Sequence, residues 1–144
     1  MIREGGARDV NAILSFGLNT VRSLPGLHRE PNAQLCANYL IGFIEAPHGA
    51  LFVSEAGNDV IGFICGYVDA DPWTGEKVAH KASWVVDPNH AGHGFYLLKR
   101  FERWARESGA SRMMISRLHS DDELGTALER MNYQPIEATY ERTL

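Results

Sequence analysis

Trp84-Val85-Val86-Asp87-Pro88-Asn89-His90-Ala91-Gly92-His93-Gly94-Phe95-Tyr96-Leu97-Leu98 is the stretch whose reading decides how this chain folds. Its first three residues end a β-branched, aromatic run of strand character over about Val78–Val86. Asp87-Pro88 stops that run, because proline has no N–H to give to a ladder. A loop holding Gly92 and Gly94 follows. From Gly94 to Glu107 the apolar residues Leu97, Leu98, Phe101, Trp104 and Ala105 fall on one stripe, which predicts a helix closed by Gly109. Strand, glycine loop and amphipathic helix therefore succeed one another within one short segment. Such a junction can turn backbone N–H groups at a helix N-terminus toward an anion. An ordinary strand-to-helix turn has the same spacing, and both readings stay open at this point.

Working outward, the residues before this segment form two helices and a hairpin. Ile2 starts a short strand, and Asp9 is placed to cap a helix whose stripe is Val10, Ile13, Leu14, Leu18 and Val21. Leu24-Pro25-Gly26 breaks it, and a second helix is expected from near Pro31 to about Glu45. Ala50–Glu55 and Val60–Val68 read as strands, with Gly57-Asn58-Asp59 as the hairpin turn between them. A polar connection over Asp69–Glu76 leads back to the strand that ends at Val86. After the long helix, Arg112–Leu118 reads as a strand, Asp121–Met131 as a helix and Ile136–Arg142 as a last strand. The order is β, α, α, three antiparallel strands, α, β, α, β. A mixed, mostly antiparallel sheet flanked by helices follows, an α/β class in a single domain over residues 1–144.

Composition narrows the function. With 44% hydrophobic and 22% charged residues the chain is of globular type. Its net charge of −4 without a block of basic residues argues against nucleic acid or an anionic membrane as partner. No run approaches a membrane span, and the first residues lack the apolar core of a signal peptide, so a cytoplasmic setting is expected. Cys36 and Cys65 lie in apolar runs and read as buried thiols rather than a disulfide. The histidines His80, His90 and His93 lack the spacing and cysteine partners of a zinc framework, so no metal is expected. A dinucleotide fingerprint fails because Leu97 stands where a third glycine belongs, and no P-loop lysine is present.

In this loop and its flanks the sequence resembles the GNAT family of N-acyltransferases. Gly92 and Gly94 fall on the two glycines of that family's phosphate loop, with Leu97-Leu98 and Trp104-Ala105 in the helix behind them. Ile2-Arg3 with Asp9, Val60-Ile61-Gly62-Phe63 and Met131-Asn132-Tyr133 resemble the family's opening, hairpin strand and C-terminal motif. Three positions depart from the pattern. Asn89 stands for the usual Gln or Arg unless the loop is shortened, Leu128 replaces a common tyrosine, and Asn132 replaces a glycine. Asparagine can still adopt the left-handed conformation that glycine favours.

The resemblance implies an acetyl-CoA-dependent N-acetyltransferase. The pantetheine arm would pair with Trp84, Val85 and Val86. The pyrophosphate would rest on the loop of Asn89, His90, Ala91, Gly92, His93, Gly94 and Phe95. The partner would be an amine acceptor, a small molecule or a protein, with a homodimer allowed. Direct transfer needs a neutral amine, and the family's usual carboxylate base falls on His80 by position. Histidine suits this task because it changes protonation near neutrality, although a polar strand residue facing solvent beside Lys81 is the plainer reading. With Leu128 in the expected place, Tyr140 and His119 are the candidates for proton donor. A non-catalytic CoA-binding or protein-interaction module on the same fold is the alternative, and a nucleotide-binding regulatory domain the third.

Overall fold

A computed structural model of the chain describes residues 1–24 and 29–144. The elements are β1 (Ile2–Glu4), α1 (Val10–Arg22), α2 (Ala33–Glu45), β2 (Gly49–Ala56), β3 (Asp59–Ala70), β4 (Lys77–Val86), α3 (His93–Glu107), β5 (Arg112–Met114) and α4 (Asp122–Arg130). Single 3-10 turns at Ala7–Asp9 and Pro88–His90 precede α1 and α3. The five strands form one sheet in sequence order, antiparallel from β1 to β4 and parallel between β4 and β5. The expected break at Pro25-Gly26 lies outside the described residues.

Both sheet faces are covered, which explains why β2 and β3 read as nearly continuous apolar runs. Alternate residues point to opposite sides. Phe52 and Ile64 pack with Leu97, Leu98 and Phe101 of α3, while Val53, Phe63 and Cys65 pack with Val10 and Ile13 of α1 and Leu40 of α2. Leu97, Leu98 and Phe101 are fully buried, each worth about 1.5–3 kcal/mol of transfer free energy. Helix α3 is thus anchored under the β4 loop by its own stripe. Both cysteines are free thiols.

The N-terminus departs from expectation in one detail. Asp9 occupies the cap position of α1, but its carboxylate makes no cap bond to that helix. It accepts instead from both terminal nitrogens of Arg3, at 2.9 and 2.8 Å, and from the Gly6 amide at 2.8 Å. These hydrogen bonds from Arg3 hold the Asp9 carboxyl below its ordinary range despite burial. A depressed carboxyl stabilises fully above its unfolded value of about 4 and loses that contribution as pH falls through the folded value. Asp9→Asn should therefore cost about 2 kcal/mol at neutral pH. Urea unfolding should show the gap to wild type closing as the solution is acidified below about pH 4.

The C-terminal third is the larger correction. Strand β5 ends at Met114 instead of reaching Leu118, and the strand expected over Ile136–Arg142 does not form. The two failures share a cause. A strand needs a neighbour for its backbone groups, and the β4–β5 ladder stops at His80↔Met114. Residues 134–144 are exposed and lie outside regular structure. The turn after α4 behaves as its sequence suggests, since Asn132 adopts a φ of 67°.

Candidate active site

The end of the β4–β5 ladder makes a fork. Val78, Ala79 and His80 pair with Arg112, Met113 and Met114, and beyond them the strands part. From Ser83 to Val86, β4 keeps β3 on its inner side only, so its outer edge has no strand neighbour. A bulge sits at the same place. Cys65 pairs with Ser83 and Gly66 with Lys81, which leaves Ala82 without an opposite residue. Bulges re-aim side chains, and this one coincides with the parting of the strands.

His80 stands at the mouth of the fork with its side chain one-third exposed. Its ring stacks on Tyr67, its cross-strand partner, at 4.9 Å and 19°. Its Nε2 lies 3.2 Å from an Asp69 oxygen. That is an ion-pair separation and not a hydrogen bond, so Asp69 acts on the ring through its charge. The sequence places Asp69 in a polar connection, but β3 runs on to Ala70 and brings it beside His80. Next along β4, Lys81 reaches across the fork, and its Nζ donates to the Ser116 carbonyl at 2.8 Å. Burial pulls the Lys81 amine below its ordinary range. Behind the bulge, Ser83 Oγ lies 3.2 Å from Tyr39 Oη, and burial pushes the Cys65 thiol up to about 12, which leaves it unreactive. Lys81 is the residue that sequence reading missed as part of a site, whereas Asp69, with Asp71 and Glu76, was readable as an acidic group able to attract a cationic amine but not as the neighbour of His80. Strand alternation with an extended β3 was the available signal.

The loop side of the site is more tightly bonded than its glycines suggest. The Asp87 carboxylate accepts from the Asn89 amide at 2.9 Å, and the His90 and Gly94 amides bond the carbonyls of Asp87 and Ala91. His90 Nδ1 lies 3.7 Å from Asp87, an ion-pair separation too long for a hydrogen bond. His93 is turned away from the loop, with its Nδ1 at 2.7 Å from the buried Ser54 hydroxyl. Gly92 has an ordinary helical φ of −59°, and a Cβ built on it meets open space. Gly94 is buried, and a Cβ there would touch the Trp84 ring at 3.4 Å and Val86 at 3.5 Å. The Trp84 Nε1 is buried without a partner. Asn89, Ala91 and Phe95 are exposed on the loop and the first turn of α3.

The two proton-donor candidates are not gathered into the fork. Tyr140 is 92% exposed in the C-terminal segment, and His119 is exposed before α4. Among the described residues no group of three metal-ligating side chains occurs.

The sequence from 19 to 128 matches the profile described as the acetyltransferase (GNAT) family. The chain belongs to the GNAT family. Its fold agrees with solved structures at low identity. A protein described as a possible acetyltransferase from Clostridium difficile 630 superposes with a TM-score of 0.79 at 17% identity, covering 100% of this chain and 97% of that one. An aminoglycoside acetyltransferase from an uncultured soil metagenomic sample gives 0.74 at 16%, covering 100% and 95%. A ribosomal-protein-alanine N-acetyltransferase from Brucella melitensis biovar Abortus 2308 gives 0.75 at 15%, covering 100% and 98%. No curated protein matches the sequence.

As a GNAT protein the chain has the family's general activity, acetyl-CoA-dependent acyl transfer. The observed residues fit that cosubstrate. The β4 edge over Trp84–Val86 is open to pair with an amide-bearing arm, Trp84 has an unpaired N–H, and the space over Gly92 is clear.

Proposed function

We propose that this GNAT protein acetylates an amine by direct attack on the thioester, with His80 as general base. The observation that carries this reading is the Asp69–His80 pair at the point where β4 and β5 part. Acetyl-CoA supplies the electrophilic thioester carbonyl. An acceptor amine is almost wholly protonated at neutral pH, about one molecule in a few thousand being free when its pKa is near 10.4. His80 takes that proton, directly or through one water, and the Asp69 charge beside the ring steadies the imidazolium that forms. The nitrogen then bonds the carbonyl carbon, the C–S bond breaks, and the second proton of that nitrogen passes to the departing thiolate, which leaves the amide, the CoA thiol and protonated His80. A thiolate is a good enough leaving group to need no dedicated acid, which suits a fork that gathers neither Tyr140 nor His119.

In this reading the cosubstrate is held by the Trp84–Val86 edge and by the loop from Asn89 to Phe95. Acetyl-CoA should raise the melting temperature, and free acetate should not, because only a ligand of the native state stabilises it. Gly92→Val should fold normally, since its Cβ meets open space, and should reduce the shift by crowding the pyrophosphate position. No shift at millimolar acetyl-CoA with wild type would remove the loop from cofactor binding. A cytoplasmic setting belongs to the same reading and is supported by the two free thiols.

A further inference from the structure

A groove of about 540 Å³ runs between α2 and the end of β3, next to His80. Its walls include Tyr39 and Phe43 of α2 and Tyr67 and Asp69 of β3. The rings form a continuous series. Tyr39 meets Phe43 edge-on at 4.8 Å, Phe43 stacks with Tyr67 at 6.5 Å, and Tyr67 stacks with His80 at 4.9 Å. Tyr39 and Tyr67 remain 44% and 38% exposed, so aromatic surface is open to the groove.

The charge of the lining is as informative as its rings. Among the described residues Asp69 is the lone carboxylate of the lining and already lies beside His80, and none of them contributes a lysine or arginine to the groove. A polyamine or aminoglycoside needs several carboxylates, and a phosphorylated acceptor needs cations. Neither set is present in this lining. Asn38 and His48 are its other polar residues.

Gly42 supplies an independent sign. It lies inside the thirteen-residue helix α2, where glycine is disfavoured for its backbone entropy. Nothing packs closely enough to demand its missing side chain, because a Cβ there meets no atom within 4 Å. That open space is the groove itself.

We infer that this groove is the acceptor subsite and that it takes the flat, apolar end of a small primary monoamine. The ring lies against Phe43 and Tyr67, and its amine extends toward His80. This assignment rests on the acetyl-transfer reading above, deepens it to a substrate class, and names Gly42, Phe43 and Tyr67 as specificity-determining residues.

The test is steady-state transfer from saturating acetyl-CoA to phenethylamine, n-propylamine and spermidine, with calorimetric binding of phenethylamine to the CoA-loaded protein. Phenethylamine should show a KM at least ~10-fold below that of n-propylamine. Gly42→Leu, which fills the groove, should raise the phenethylamine KM and Kd by ~10-fold or more relative to n-propylamine. Phe43→Ala removes a stacking face and should move the same ratio in the same direction. Turnover that favours spermidine or n-propylamine, or a ratio unmoved by both variants, would overturn the substrate class alone. Absence of turnover with every amine, together with no acetyl-CoA thermal shift, would overturn the acetyl-transfer reading and this inference with it.

Discussion

His80→Ala is expected to lower single-turnover acetyl transfer by at least ~100-fold, with acetyl-CoA affinity little changed. The separation of the two effects follows from the geometry. The edge and loop assigned to the cosubstrate begin at Trp84, beyond the bulge, whereas His80 is the last β4 residue paired with β5. Losing the imidazole removes the base proposed for the amine and leaves Asp69 without its partner. The measurement is rapid-quench single-turnover transfer by wild type and variant side by side at one pH with saturating acetyl-CoA. His80→Glu should recover part of the rate, because a carboxylate can serve the same purpose. A folded, CoA-saturated His80→Ala protein with the wild-type rate would return His80 to the role of a stacked strand residue.

Gly66→Ala should give the largest loss of stability of any single methyl added to the sheet. A Cβ on Gly66 would lie 2.0 Å from the His80 carbonyl oxygen and 2.6 Å from the Phe101 ring. The first neighbour is backbone and the second is fully buried, so neither yields easily. Relief requires β3 and β4 to separate at the bulge, which also displaces His80. Overpacking of this kind costs about 3 kcal/mol, equivalent to a fall in melting temperature of about 10 °C in a chain of this size. Urea and thermal unfolding should both report it, and the folded fraction should transfer acetyl slowly because the fork is disturbed. Stability within about 0.5 kcal/mol of wild type would show that the strands do not approach so closely.

The two predictions draw on different levels of information. Helix α3 was legible from its stripe alone, since Leu97, Leu98, Phe101 and Ala105 recur at helical spacing and all are buried. The β2–β3 turn was equally plain, because Gly57 and Asn58 are local turn chemistry and need no distant partner. The resemblance at the glycine loop likewise identified the family from residues close in sequence. The splaying of the strands ending at Val86 and near Leu118 was implied by the family resemblance alone, and the residue at which they part was not legible. Arg112–Leu118 has the composition of a longer strand, and only the end of the β4 ladder at His80 decides that it stops at Met114. The strand expected at Ile136–Arg142 failed with it, for want of a neighbour.

By itself, the sequence determined the order of elements as far as α4, the covered sheet and the glycine loop, and it put forward His80 as a candidate base. These depend on periodicity, turn chemistry and short motifs, which act between residues near one another in the chain. Tertiary structure alone decided which groups His80 meets. The β3–β4 register sets Tyr67 against it and Asp69 within 3.2 Å, and the bulge sends Lys81 across the fork to Ser116. It also turned Asp9 from a helix cap into the partner of Arg3, and His93 from a residue of the expected pyrophosphate loop into the partner of Ser54. The physical reason is common to all of these cases. A side chain's charge and shape are written in its own residue, but its partner is chosen by strand register and strand ending, which follow from the packing of the whole sheet.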